Sequence, residues 1–180
     1  MKQMLNKAIA HSRNREYMSG LERDKLRVKA TGEVFTPTPL VQEMLDQLPQ
    51  ELFTDPSKTF LDNSCGDGQF LSEVLIRKLE NGIPFEQALS TIYGVDLMPD
   101  NVQLCRDRLL CGQEHLHHIV ERNIVCHDAL TYDYSFNGTN YTDAELRSQE
   151  TGLPIPGKKP KKAKIQKKEL KPDLSLFDEE

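Results

Sequence analysis

Thr59-Phe60-Leu61-Asp62-Asn63-Ser64-Cys65-Gly66-Asp67-Gly68-Gln69-Phe70 is the stretch whose reading decides the fold class. Residues 59–62 form a short apolar run ending in an acid, and a turn carrying two glycines follows at once. Leu71, Val74, Leu75 and Leu79 then recur at helical spacing. A strand, a tight glycine turn and an amphipathic helix make the first half of a parallel βαβ unit.

The pattern repeats downstream. Thr91-Ile92-Tyr93-Gly94-Val95-Asp96 reads as a second strand, and Pro99 opens a helix with Val102, Cys105, Leu109 and Leu110 inward. Asn123-Ile124-Val125-Cys126 is a third strand, with Asp128 just past its end. Upstream, Pro39 suits the first turn of a helix carrying Val41, Met44, Leu45 and Leu48. Alternation of this kind implies a parallel sheet with right-handed crossovers.

Ligands of such sheets bind beyond the carboxyl ends of the strands. All three strands place an acid there. Gly66 and Gly68 let a ligand approach the backbone closely. Asp96 can accept hydrogen bonds from both hydroxyls of a ribose, and Asp128 can accept one from the amino group of an adenine. A lone Gly-x-Gly says little, because turns after strands often call for glycine. Taken singly, the acids read as helix caps or solvated loop residues. Three acids at three consecutive strand ends point to a nucleoside site.

Four segments carry a resemblance: Gly32-Glu33-Val34-Phe35-Thr36-Pro37, then Phe60 through Leu71, then Tyr93-Gly94-Val95-Asp96, then His127-Asp128-Ala129-Leu130. In this order and spacing the chain resembles the adenine-specific DNA methyltransferases that modify the exocyclic amine. It is similar to the subgroup whose methionine-side motif precedes the glycine motif. A phosphate-binding P-loop would need a Gly-Lys-Ser/Thr ending, which is absent. The resemblance implies a Rossmann-like class I methyltransferase core, whole or shortened, that binds S-adenosylmethionine. Phe35, Thr36 and Pro37 would line the methionine end of that cofactor. Asp62, Ser64, Gly66 and Gly68 would form the floor beneath it. Asp96 would hold the ribose, Leu97 and Met98 would lie against the adenine, Asp128 would take its amino group, and Leu130 would pack nearby. A cationic sulfonium suits a pocket rich in carboxylates.

The family's next signature is Asn or Asp, then Pro-Pro, then Tyr or Phe, at the end of a fourth strand. There it holds the target amine and stacks on the flipped base. No Pro-Pro occurs in this chain, and the nearest candidates are Asn137 and Tyr141. They follow Tyr132-Asp133-Tyr134-Ser135-Phe136, whose alternation suggests a fourth strand over 131–136 lying beside the first. The expected function is therefore a cofactor-binding component of DNA adenine methylation, completed by a complementing methyltransferase subunit. The alternative is a non-catalytic, methyltransferase-like interaction protein that binds DNA or a replication or transcription partner.

Composition frames these expectations. The 180 residues carry a net charge of -5, so DNA, the expected partner, would need a local basic patch. The N-terminus has no apolar signal core, no stretch is long enough to span a bilayer, and the 4 Cys form no Cys-x-x-Cys pair; these features suit a cytoplasmic protein. Cys105, Cys111, His115, His117 and His118 fit no closed zinc spacing, so no metal site is expected. The organisation expected is a helical N-terminal extension over 1–30, with Met4, Leu5, Ala8 and Ile9 as its stripe. The cofactor-binding domain follows over 31–141, and then a flexible lysine-rich tail over 142–180. The tail could attract phosphates. Its Asp173-Leu174-Ser175-Leu176-Phe177 resembles the peptide that docks on the bacterial sliding clamp, with Leu174, Leu176 and Phe177 as anchors and Asp173 where Gln is usual.

Overall fold

Two helical crossovers build the sheet in a computed structural model that describes residues 2–13 and 36–157. Strand β1 (Phe60–Asp62) leads through the glycine turn into helix α4 (Gln69–Glu80), and strand β2 (Ile92–Asp96) returns parallel to β1. Helix α6 (Pro99–Leu110) then carries the chain to strand β3 (Ile124–Cys126), parallel to β2. The sheet order β1-β2-β3 steps one way only, so right-handed connections put α4 and α6 on the same face. The architecture is α/β and Rossmann-like, with a three-stranded parallel sheet among the described residues.

Helix α4 is the centre of the packing. Leu71, Val74, Leu75 and Leu79 are all buried on it, as the periodicity requires. Helix α1 (Lys2–Ser12) lies across α4 and α6, burying Ala8 and Ser12. Just past its end, Arg13 grips the buried Glu73 of α4 with two bonds of 2.8 Å. The described part of the expected N-terminal extension, residues 2–13, thus packs into the core. Helix α2 (Thr38–Asp46) packs on α4 through Val41 and Leu45, and helix α3 (Glu51–Thr54) follows, its Phe53 stacking on Phe60 of β1 with ring centroids 5.2 Å apart. Met44 and Leu48, expected on the buried face of α2, are exposed. Two further helices lie in the connections: α5 (Phe85–Ser90) before β2, and α7 (His117–Asn123) after a single 3-10 turn and before β3.

The other face of the sheet carries Leu61, Tyr93, Val95 and Val125, and no helix among the described residues covers it. Residues 129–136 fold over it instead, where Tyr132 and Phe136 pack on Val95 and Val125 and the Phe136 ring lies 4.7 Å from Tyr93. This overturns the expected fourth strand. Tyr134 and Phe136 have φ of 55° and 44°, left-handed values that an extended strand excludes. The alternating aromatics turn back on themselves to cover one face, so β1 is an edge strand among the described residues. Part of the stretch expected to be a flexible tail is also ordered. Helix α8 (Asp143–Thr151) begins with a reciprocal capping box between Thr142 and Glu145. It is fixed to the sheet by His127, whose Nε2 lies 3.0 Å from Glu145 Oε2. The peptide bearing Leu174, Leu176 and Phe177 and the lysine run from 158 lie outside the described residues.

Candidate nucleoside site

The glycine turn is shaped by one hydrogen bond at each step. The Asp62 carboxylate accepts the Ser64 N–H at 3.0 Å, the Cys65 N–H reaches the Val95 carbonyl at 3.1 Å, and the Gly68 N–H reaches the Cys65 carbonyl at 2.8 Å. Gly68 takes φ 83° at the start of α4, a value that favours glycine. A Cβ there would lie 2.7 Å from the Cys105 sulfur, so the turn sits directly on α6.

Asp96, at the end of β2, is the hub. One carboxylate oxygen accepts the Gly66 N–H at 2.9 Å. The other accepts the Met98 N–H at 2.8 Å and faces the Asn101 amide at 3.4 Å. The acid expected to hold a ribose therefore also binds the glycine turn to the second strand. A carboxylate offers roughly four lone-pair sites, so it retains capacity for a further donor. Asp62 lies near enough to feel it. Burial, and then repulsion from Asp96, push the Asp62 carboxyl above the usual carboxylate range, although the Ser64 N–H opposes them. Two acids crowded at adjacent strand ends favour an incoming cation.

Thr36 and Pro37 sit at the start of α2, beside Thr38, whose hydroxyl accepts the Gln69 side-chain N–H at 2.7 Å. That bond brings the methionine-side motif to the first residue of α4. Phe35 lies outside the described residues. Leu97 is exposed and Met98 half-buried. Asp128 is exposed, and its carboxylate caps the following turn by accepting the Leu130 N–H at 2.9 Å. Leu130 is 93% exposed, away from the core among the described residues. Asp62, Ser64, Gly66, Gly68, Asp96 and Met98 are thus gathered around one turn, with Thr36 and Pro37 alongside, and Leu130 stands apart.

Asn137 and Tyr141 are close in space, because the Asn137 amide donates to the Tyr141 carbonyl at 3.1 Å and to Asp143 at 2.7 Å. Thr139 donates twice to its side-chain oxygen. Among the described residues every hydrogen bond of the Asn137 side chain stays within 137–143, which makes it the organiser of a turn.

Three supporting residues carry no signal in the sequence. Arg108 is fully buried, with Nη1 3.0 Å from the Asp67 carboxylate and 3.2 Å from its carbonyl, locking the glycine turn to α6. Asn101 supports Asp96, and Asn140 accepts the Cys126 N–H at 3.0 Å. Arg108 falls on the apolar face with Cys105, a placement that sequence alone reads as an interruption. The Cys65 thiol faces Cys105, and that contact and then burial hold it well above its usual range. No group of three or more metal-capable side chains gathers among the described residues, nor is any described helix long and apolar enough to cross a membrane.

No curated protein and no solved structure matches the chain. A family model for N-6 DNA methylases matches residues 22–144, more than half of its length, and that span holds the glycine turn, Asp96 and all three strands. The order of strands, the acid at each strand end and this match agree: the chain belongs to the N-6 DNA methylase family.

Proposed function

We propose that the chain binds S-adenosylmethionine at the glycine turn and serves adenine methylation of DNA, with the groups that hold the target amine supplied by a partner subunit. The observation that carries this reading is the convergence of two carboxylates on the glycine turn, Asp62 on the Ser64 N–H and Asp96 on the Gly66 N–H. The donor set fits the cofactor. Two crowded carboxylates favour the sulfonium cation, and the remaining capacity of Asp96 suits a ribose hydroxyl. The bound cofactor supplies an electrophilic methyl group. This chain's residues orient it: Gly66 and Gly68 leave the backbone bare, Asp96 fixes the turn, Met98 lies beside the nucleoside, Thr36 and Pro37 border the amino-acid end, and Asp128 stands at the third strand end for the adenine. A family founded on DNA methylation implies DNA as the partner. Asn137, fully used by its own turn, makes a poor amine holder.

Calorimetry with S-adenosylmethionine tests the first half: saturable binding, lost in Asp96→Ala that melts normally, is expected, and a flat titration of folded protein overturns it. Labelled methyl transfer to adenine-containing DNA tests the second. The chain alone should be inactive, and robust transfer by it would remove the need for a partner.

The engagement of Asn137 also favours a second reading, a methyltransferase-like protein that binds without transferring. Its partner would be met through the 173–177 peptide, with Leu174, Leu176 and Phe177 in the groove of a sliding clamp. Clamp affinity unchanged by Leu176→Ala with Phe177→Ala would dispose of that contact.

A further inference from the structure

His127 follows β3 and precedes Asp128, and four contacts hold it. Its N–H bonds the Asp96 carbonyl at 3.0 Å, and its ring lies 5.2 Å from the buried ring of Tyr132. Nδ1 is 3.0 Å from the Asp128 carbonyl, and Nε2 is 3.0 Å from Glu145 Oε2. The same Glu145 oxygen accepts the Thr142 N–H at 3.0 Å, which is one half of the capping box that starts α8. A continuous line of polar contacts therefore runs from the cap of α8, through Glu145 and the imidazole, to the Asp128 peptide.

The two ends of that line differ from its middle. Asp128 is exposed, and its carboxylate accepts the Leu130 N–H at 2.9 Å. Helix α8 buries none of its residues. Between them, the side chains of His127 and Glu145 are only 12% and 18% exposed. A polar contact shielded from water is stronger than the same contact in solvent. A shielded contact that joins two exposed segments makes the order of each depend on the other. If α8 opens, Glu145 leaves Nε2, and the ring is no longer fixed against the Asp128 carbonyl.

We infer that His127 is a positioning residue for Asp128, and that through it the filling of the nucleoside site and the order of α8 are linked. This role rests on the reading that Asp128 takes the amino group of the cofactor's adenine. An exposed carboxylate binds such a group best when its pose is set beforehand, since ordering it on binding costs affinity. His127 sets that pose by holding the peptide that bears the carboxylate. The linkage is reciprocal: whatever stability the cofactor adds to α8, an ordered α8 adds to cofactor affinity.

Hydrogen exchange of the full chain over 143–151, with and without S-adenosylmethionine, tests the linkage. Calorimetry with the same compound and with its deaminated analogue, in which an oxygen replaces the adenine amino group, tests the positioning. The cofactor should slow exchange in α8 roughly fivefold or more in the parent and leave it unchanged in His127→Phe, which keeps a ring against Tyr132 but no nitrogen. His127→Phe should bind S-adenosylmethionine roughly fivefold or more weakly, and the deaminated analogue weakly by no more than about twofold. Glu145→Ala, outside the sheet, should shift both readouts in the same direction. Glu145→Gln, which keeps an acceptor for the cap, should recover most of the loss. Cofactor binding to the parent that leaves α8 exchange unaltered would overturn the linkage while the cofactor reading stands. Equal losses for the two ligands in His127→Phe would overturn the positioning role, because a general structural defect does not distinguish the base. A parent that binds neither ligand would bring down the cofactor reading and this role with it.

Discussion

Gly68 and Gly94 are small because thiols stand against them. A Cβ on Gly68 would meet the Cys105 sulfur at 2.7 Å and its backbone at 3.3 Å, while one on Gly94 would meet the Cys65 sulfur and a Leu71 methyl at 2.9 Å. Gly68→Ala is therefore expected to cost about 1–3 kcal/mol in denaturant unfolding, from overpacking and from a left-handed φ. Pairing it with Cys105→Ala should restore only the steric part. Asp62 makes a prediction of opposite sign. Its folded pKa is raised, so the stability linked to it is fully present below the ordinary carboxylate range and is lost as pH rises through the raised value. Asp62→Asn should therefore melt higher than the parent at neutral pH, with the gap closing only below about pH 3, where folded and unfolded states are both largely protonated. The same substitution should weaken binding of a cationic ligand. Thermal melts across pH and a binding titration separate the two effects; a neutral-pH melt below the parent's would refute the first.

At the level of the element, the glycine turn and α8 show two ways of fixing a segment that has no regular pairing of its own. The turn is held from α6 by Arg108, a fully buried cation whose partner is Asp67. Truncating one member of a buried ion pair leaves the other uncompensated, so Arg108→Ala should cost about 3–5 kcal/mol and loosen the turn with it. Hydrogen exchange of the 65–68 amides is the local readout. Helix α8 buries none of its residues and depends on its cap and on His127. Thr142→Ala should cost that helix about 1 kcal/mol, seen as faster exchange across 143–151 while β2 amides are unaffected. Exchange unchanged in α8 would mean that its contact with His127 alone suffices.

On the scale of the whole molecule, the one-directional strand order governs both the site and the surfaces. It stacks every crossover helix on one face and brings the ends of β1 and β2 together, so that Asp62 and Asp96 share one turn. It also leaves the opposite face to an aromatic hook and makes β1 an edge among the described residues. The hook covers Tyr93, Val95 and Val125 but leaves Leu61 exposed. Tyr132→Ala would bare this second face. Unfolding should become less stable by about 3–5 kcal/mol, as for deletion of a large core ring, and binding of a hydrophobic dye should increase. A variant that stays as stable as the parent would show that the hook only decorates the sheet.

Local pattern was enough for the three strands, the helices around Leu71 and Val102, and the gathering of acids at strand ends, because period and punctuation are properties of neighbouring residues. The sequence alone also determined the family resemblance and the absence of a Pro-Pro signature. It misread 131–136: alternation predicts an extended strand, but the aromatic rings gain more by folding onto Val95 and Val125 than by pairing at an edge. It missed α8, although Thr142 and Glu145 stand at capping-box spacing, because a polar helix has no hydrophobic period to betray it. Arg108 beneath Asp67, Asn101 beneath Asp96 and Asn140 on Cys126 belonged to the tertiary structure alone. Each joins residues five to forty-one apart in the chain, or corrects an edge that exists only once the strands are ordered in space, and no local spacing encodes that.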